Sequence, residues 1–201
     1  MTCLTTITSN LRGNLKLKKV GVIFGGKSVE HEVSVITGMQ VIENIDKTKY
    51  EVVPIYINKE GKWLTGESLK EYSTFKNGDF KDAKEILLSP NHGDNNLYAH
   101  PDTVGLFQKK VIDQIDIAFP ALHGTYGEDG SIQGLFELMN IPYAGGGVLA
   151  SSVGMDKILM KDVYKANNIP IVDYHWFYRT NWKADNMKII SEIESKLAYP
   201  V

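Results

Sequence analysis

The stretch that most constrains the fold runs from Lys18 to Ile57. "KKVGVIF" (Lys18–Phe24) is a β-branched apolar run that stops at Gly25-Gly26, so it reads as a buried strand followed by a tight turn. A helical pattern follows, with Val29, Val33, Ile36 and Gln40 in one row and Val35, Met39, Ile42 and Ile45 broadening the apolar face. "YEVVPIYI" (Tyr50–Ile57) is a second strand. Strand, turn, helix and strand in this order form a βαβ unit, which predicts a parallel sheet with a right-handed crossover. The expected class is therefore α/β.

The remainder extends this pattern. "NKEGKW" (Asn58–Trp63) reads as a hairpin tip, and residues 64–110 are polar, with one clear strand candidate at Glu85–Ser89. "IDIAFPALHG" (Ile115–Gly124) returns to a buried strand and opens into a glycine-rich loop. A helix follows with Ile132, Leu135, Phe136 and Met139 on one face, and Asn140 is placed to stop it. "ANNIPIVDY" (Ala166–Tyr174) repeats that stop signal, since proline cannot continue a helix. "YHWFYR" (Tyr174–Arg179) predicts another strand. Asp185 is the expected N-cap of a last helix, with Ile190, Ile193 and Leu197 turned inward.

Composition narrows the function classes. A net charge of −2 over 201 residues argues against an extended nucleic-acid or membrane surface. The one cysteine, Cys3, allows no internal disulfide, which fits a reducing compartment. No apolar run approaches transmembrane length, and residues 1–18 lack the apolar segment of a secretory signal. The expectation is a cytoplasmic protein with a loose leader.

"GVIFGGKS" (Gly21–Ser28) matches the P-loop pattern G-x-x-x-x-G-K-[ST] letter for letter. In a true P-loop the four residues after the first glycine form the phosphate cradle. Here three of those four, Val22, Ile23 and Phe24, belong to the strand, and a sheet ladder uses their N–H groups. A phosphate cradle at this spacing would unmake the strand. The dinucleotide pattern G-x-G-x-x-G is absent from this turn as well.

The turn keeps its interest, because ligands of doubly wound sheets bind at the carboxyl ends of strands. "KSVEHEVS" (Lys27–Ser34) sets Ser28, Glu30 and Glu32 around a helix start. Acidic residues there complement the helix dipole, and this is their commoner use. A carboxylate aimed into the cleft to hold an ammonium is the other reading. "HGTYGEDGSIQG" (His123–Gly134) packs one histidine, two carboxylates and four glycines into twelve residues after a strand. Its glycines permit close backbone approach to a ligand, and His123 is placed to donate to a carboxylate or oxyanion. A hydrogen-bonded structural histidine before a helix N-terminus fits the same letters.

"GGKSVEHEVS" (Gly25–Ser34), followed about 90 residues later by "HGTYGEDGSIQGLFELMNIPYAGGGVLASSVGMDK" (His123–Lys157), resembles the D-alanine–D-alanine ligases of the ATP-grasp superfamily. The resemblance covers residues 19–201. It implies a Rossmann-like, parallel-sheet pre-ATP-grasp domain over residues 19–145. The first part of an ATP-grasp central domain, residues 146–201, would follow. It implies joining of two D-alanines to D-alanyl-D-alanine for peptidoglycan, through an acyl phosphate made from ATP. Carried over by position, Glu30 holds the ammonium of the first D-alanine, and Ser28 supports the turn. His123 and Gly124 lie beside the substrate, and Lys157 lies near the ATP phosphates. Lys27 matches an unspecified position and receives no role.

The same resemblance implies a Mg²⁺ or Mn²⁺ ion in the full-length protein, with its ligands beyond this chain. It also implies a homodimer formed through the first domain. The 201 residues alone are then expected to lack ligation activity. D-alanine–D-lactate and D-alanine–D-serine ligases remain open, as does a non-catalytic dimerising fragment.

Overall fold

The computed structural model describes residues 17–101 and 110–200. The leader, including Cys3, lies outside the described residues. The chain divides into two compact units between Ser151 and Ser152.

The first unit is built on a seven-stranded mixed sheet of order β6-β5-β4-β3-β2-β1-β7. Strand β1 (Lys18–Gly25) is central and runs parallel to β2 (Tyr50–Ile57) and to β7 (Ile117–Pro120). Strands β3 (Trp63–Thr65), β4 (Lys84–Leu88), β5 (Asn96–Ala99) and β6 (Val111–Gln114) extend it by antiparallel pairing. The parallel sheet expected from sequence is thus a core of three strands. The Asn58–Trp63 tip explains the change of direction, since it pairs Ile57 with Trp63 as a hairpin. A hairpin can join only antiparallel strands.

Both faces of the sheet are covered. Val20, Val22 and Phe24 of β1 pack with Val52 and Tyr56 of β2 against α1 (His31–Asn44), which buries Val35 and Ile42. Ile23 of β1 packs on the opposite face with Val53, Ile55 and Ile57 against Ile132, Phe136 and Met139 of α3 (Ser131–Met139). The alternation along β1 and β2 is what lets one continuous apolar run serve two cores. Between β3 and β4, a 3₁₀ turn (Glu67–Lys70) and α2 (Tyr72–Asn77) close over the α1 side.

Helix α1 buries one of the two rows its apolar spacing suggests, Val35, Met39, Ile42 and Ile45, and turns the other outward. Val29, Val33 and Ile36 are 99%, 52% and 47% exposed. The buried residues are His31, Ser34, Val35, Gly38 and Ile42. Gly38 explains the close approach: a Cβ there would stand 2.5 Å from Cγ of Phe24. Helix α3 follows expectation, and Asn140 ends it in the left-handed region at φ 55°.

The second unit receives the end of α4 (Val148–Met155) and contains α5 (Lys157–Ala166), α6 (Arg179–Ala184) and α7 (Asn186–Glu194). Asp156 Oδ1 caps α5 by accepting from the N–H groups of Ile158 and Leu159 at 2.9 and 3.0 Å. Asp185 caps α7 as the sequence predicts, accepting from the Lys188 N–H at 3.0 Å. Ile189 is the buried residue of α7, with Ile190, Ile193 and Leu197 half-buried beside it. The strand predicted at Tyr174–Arg179 does not form: residues 169–178 join no described β-ladder, and α6 begins at Arg179. Strand propensity is realised only against a partner strand, and none is described in this unit.

Candidate functional site

The site begins where β1 and β7 end, side by side, at their carboxyl termini. Gly25 and Gly26 take φ of +89° and +96°, a region that side-chain-bearing residues rarely enter. Neither glycine offers a free N–H to a phosphate. Gly25 N–H donates to Ser34 Oγ at 2.8 Å, and Gly26 N–H donates to the Ile57 carbonyl at 2.7 Å. Gly21–Gly25 lie in the ladder with β2, so the P-loop match is a strand followed by a turn.

Ser34 ties the two loops together. It is fully buried, and besides accepting from Gly25 it donates to the carbonyl of Ala121 at 2.7 Å. Ala121 in turn donates its N–H to Ile23 at 2.7 Å. One hydroxyl therefore sets the spacing between the turn after β1 and the loop after β7.

Ser28 and Glu30 leave this turn toward the His123 loop. Ser28 Oγ accepts from the Glu30 N–H at 3.1 Å, which closes the turn before α1. Glu30 is the N-cap residue of α1, yet its carboxylate makes no capping bond. Instead it lies against Gly124. A Cβ on Gly124 would stand 2.5 Å from Glu30 Oε2 and 2.8 Å from Ser28 Oγ, and Gly124 itself has φ +70°. Glu32 points elsewhere and pairs with Lys59 of the β2–β3 hairpin.

The loop after β7 is held by its own carboxylates. Glu128 Oε2 accepts from the Gly124 N–H at 2.8 Å. Asp129 accepts from the N–H groups of Tyr126 and Ser131 at 2.9 and 3.0 Å, which starts α3. Burial pushes the Asp129 carboxyl up, but the Tyr126 and Ser131 donors outweigh it and hold the group below its ordinary value. Gln133 Nε2 donates to the Gly127 carbonyl at 2.9 Å. His123 is half-buried between two partners. Its Nε2 lies 2.9 Å from Thr37 Oγ1 of α1, and its Nδ1 lies 3.7 Å from Glu128 Oε1. Thr37 donates its proton to the Val33 carbonyl, so it accepts from Nε2–H. A cleft of about 370 Å³ opens beside this loop, lined by Lys27, Trp63, Leu122, His123, Tyr126 and Leu135 among others.

Four of the residues singled out from sequence, Ser28, Glu30, His123 and Gly124, thus converge within the first unit. Lys157 lies in the second unit, at the first position of α5, where its ammonium donates to the Gly154 carbonyl at 3.0 Å. Spacing gave no sign of Thr37 or Ser34 as partners of the loop, because their contacts to it span sequence separations of 86 and 87, whereas Glu128 acts within the loop, four residues from Gly124. Among the described residues no group of three or more His, Cys, Asp or Glu side chains could hold a metal ion, and no helix is long and apolar enough to cross a membrane.

The first unit is a mixed α/β domain whose polar groups gather at the carboxyl ends of adjacent parallel strands, the edge at which ligands of doubly wound sheets bind. The chain belongs to the family described as D-ala D-ala ligase N-terminus, whose sequence pattern matches residues 19–146. It is 40% identical over 188 residues to a D-alanine–D-alanine ligase of Natranaerobius thermophilus, covering 93% of this chain and 49% of that protein. It is 42% identical over 197 residues to the D-alanine–D-alanine ligase of Acetivibrio thermocellus, covering 92% and 51%. The fold matches the D-alanine–D-alanine ligase of Coxiella burnetii with a TM-score of 0.72 at 30% identity, over 89% of this chain and 49% of that one. The VanG D-Ala:D-Ser ligase of Enterococcus faecalis matches with a TM-score of 0.69 at 34% identity, over 92% and 51%. The chain spans about half the length of these relatives.

Proposed function

We propose that this chain supplies the first amino-acid site of an ATP-dependent D-alanine–D-alanine ligase that works in the cytoplasm on peptidoglycan precursors. The observation that carries the reading is the Glu30 carboxylate. It caps no helix, and among the described residues it has no ion pair or hydrogen bond, while it packs against Gly124 at the sheet's carboxyl edge. An uncommitted, solvent-exposed carboxylate at the carboxyl ends of two parallel strands suits an ammonium ion. In this reading Glu30 holds the ammonium of the first D-alanine, and Ser28 keeps the turn in shape. His123 and the backbone of Gly124 face the same ligand.

ATP supplies the phosphoryl group that activates the first substrate's carboxylate. Lys157, given this role by the family resemblance, is suited by charge to touch its phosphates. The curated relatives named above carry the D-alanine–D-alanine name, which favours D-alanine over D-serine or D-lactate as second substrate. Competition between the three in the full-length protein tests that choice. Light scattering tests the homodimer that the family resemblance implies.

Calorimetric titration of D-alanine into the Glu30→Gln variant tests the central claim. A charge-assisted hydrogen bond contributes about 1.5–3 kcal/mol, so affinity should fall roughly ten- to hundredfold while ATP binding holds. An equal loss of both ligands, or of neither, overturns the role given to Glu30.

A further inference from the structure

The turn that carries Ser28 and Glu30 is held from behind by a histidine that no ligand reaches. His31 is 4% exposed, in the first turn of α1. Its Nδ1 lies 2.7 Å from the Gly26 carbonyl oxygen, and its Nε2 lies 3.0 Å from the Tyr56 hydroxyl. A carbonyl only accepts, so Nδ1 carries the proton. With the single proton of an imidazole tautomer on Nδ1, Nε2 accepts and Tyr56 donates. The chain of donors runs one way: Tyr56 O–H to His31 Nε2, then His31 Nδ1–H to Gly26.

Tyr56 is itself fixed. Its ring stacks on Phe80 at 5.7 Å and meets the edge of Phe75 at 5.1 Å, with the His31 ring edge-on at 5.6 Å. Burial pushes the Tyr56 phenol up, helped by Glu60 and Glu32, so its hydroxyl keeps its proton at neutral pH. With the Ser34 and Ile57 bonds, the His31 bond makes a third fixed point on two glycines whose backbone is otherwise free to turn.

We propose that His31 and Tyr56 are positioning residues for the amino-acid site. The proton-specific chain from Tyr56 through His31 to the Gly26 carbonyl sets the angle at which Ser28 and Glu30 leave the turn. Phe75 and Phe80, from the stretch whose sequence says least, brace that chain. The functional part of this inference rests on Glu30 holding the substrate ammonium.

The test compares Tyr56→Phe, His31→Asn and His31→Gln in the full chain. Asparagine offers an N–H donor near the δ position, and glutamine offers one near the ε position. A packing role ranks the variants by volume and favours glutamine, whereas the hydrogen-bond chain favours asparagine. Nitrogen chemical shifts of wild-type His31 should show Nδ1 protonated and Nε2 bare. Tyr56→Phe and His31→Gln should speed amide exchange at Gly25 and Gly26 about tenfold relative to Val53 and Ile55, and weaken D-alanine binding by a similar factor. His31→Asn should retain most of both.

A protonated Nε2 with bare Nδ1, unchanged exchange in Tyr56→Phe, or glutamine outperforming asparagine overturns the proposal. Wild-type protein that binds no D-alanine would refute the reading of Glu30 instead, and the tautomer and exchange measurements would still decide the clamp. If both histidine variants fail to fold, Tyr56→Phe, which keeps the ring and its stacking, decides alone.

Discussion

Gly124→Ala separates what the turn geometry does for the fold from what it does for the site. Gly124 sits at φ +70°, where an alanine costs about 1–2 kcal/mol. Part of this is offset by the smaller entropy of the unfolded alanine chain, about 0.4–1 kcal/mol. The new Cβ would also stand 2.5 Å from Glu30 Oε2 and 2.8 Å from Ser28 Oγ. Both atoms end short, mobile side chains, so they can swing away at a rotamer cost of roughly 0.5–1.5 kcal/mol. The fold therefore survives, and the carboxylate is what moves. Gly78 provides the control, with φ +69° and nothing within 4 Å of its Cβ position. For a chain of this size, about 1 kcal/mol corresponds to roughly 2–4 °C in Tm. Gly78→Ala and Gly124→Ala should both melt a few degrees low, and only Gly124→Ala should lose D-alanine affinity in a calorimetric titration. Wild-type affinity in Gly124→Ala, or equal losses in the two variants, would refute the geometry assigned to Glu30.

Ser34→Ala leaves the buried Gly25 N–H and Ala121 carbonyl without their partner, at about 1–3 kcal/mol each, so the urea midpoint should drop and the Gly25 amide should exchange faster. Gly38→Ala puts a methyl 2.5 Å from the Phe24 ring, and overpacking of about 1–3 kcal/mol should outweigh the helix propensity gained; a stabilised variant in urea unfolding would count against this close approach. Asp46 is held down to about 2 from 3.8, first by the Thr48 hydroxyl and then by Lys49. Its folded value lies below its unfolded one, so its contribution is complete above pH 3.8 and is lost as pH falls toward 2. A carboxyl titration by NMR should find that depressed midpoint, and Asp46→Asn should flatten the acid limb of stability over the same window.

Much of the first unit was legible because its signals are local. A continuous apolar run bounded by Gly25-Gly26 must be a strand with a turn, and Asn140 can close a helix by itself. The same strand argument disposed of the P-loop match, since ladder N–H groups are not free to cradle phosphate. The hairpin tip at Asn58–Trp63 and the strand at Glu85–Ser89 were legible, whereas β5 and β6 and the antiparallel order were hidden, because short polar strands differ little from loops until they find neighbours. The outward turn of Val29, Val33 and Ile36 was hidden for a related reason. Apolar spacing gives a stripe but not which residues approach the sheet, and a glycine facing Phe24 decided that.

The amino-acid sequence by itself determined the βαβ core, the two glycine-rich loops after parallel strands, and the ligase family to which those loops belong. Only the tertiary structure decided that Glu30 meets Gly124 rather than its own helix, that Ser34 and Thr37 join the two loops, and that His31 and Tyr56 meet behind the first of them. Those partners lie up to 87 residues apart. Hydrogen bonds of that reach are set by how the sheet brings strand ends together, and no periodicity along the chain encodes them.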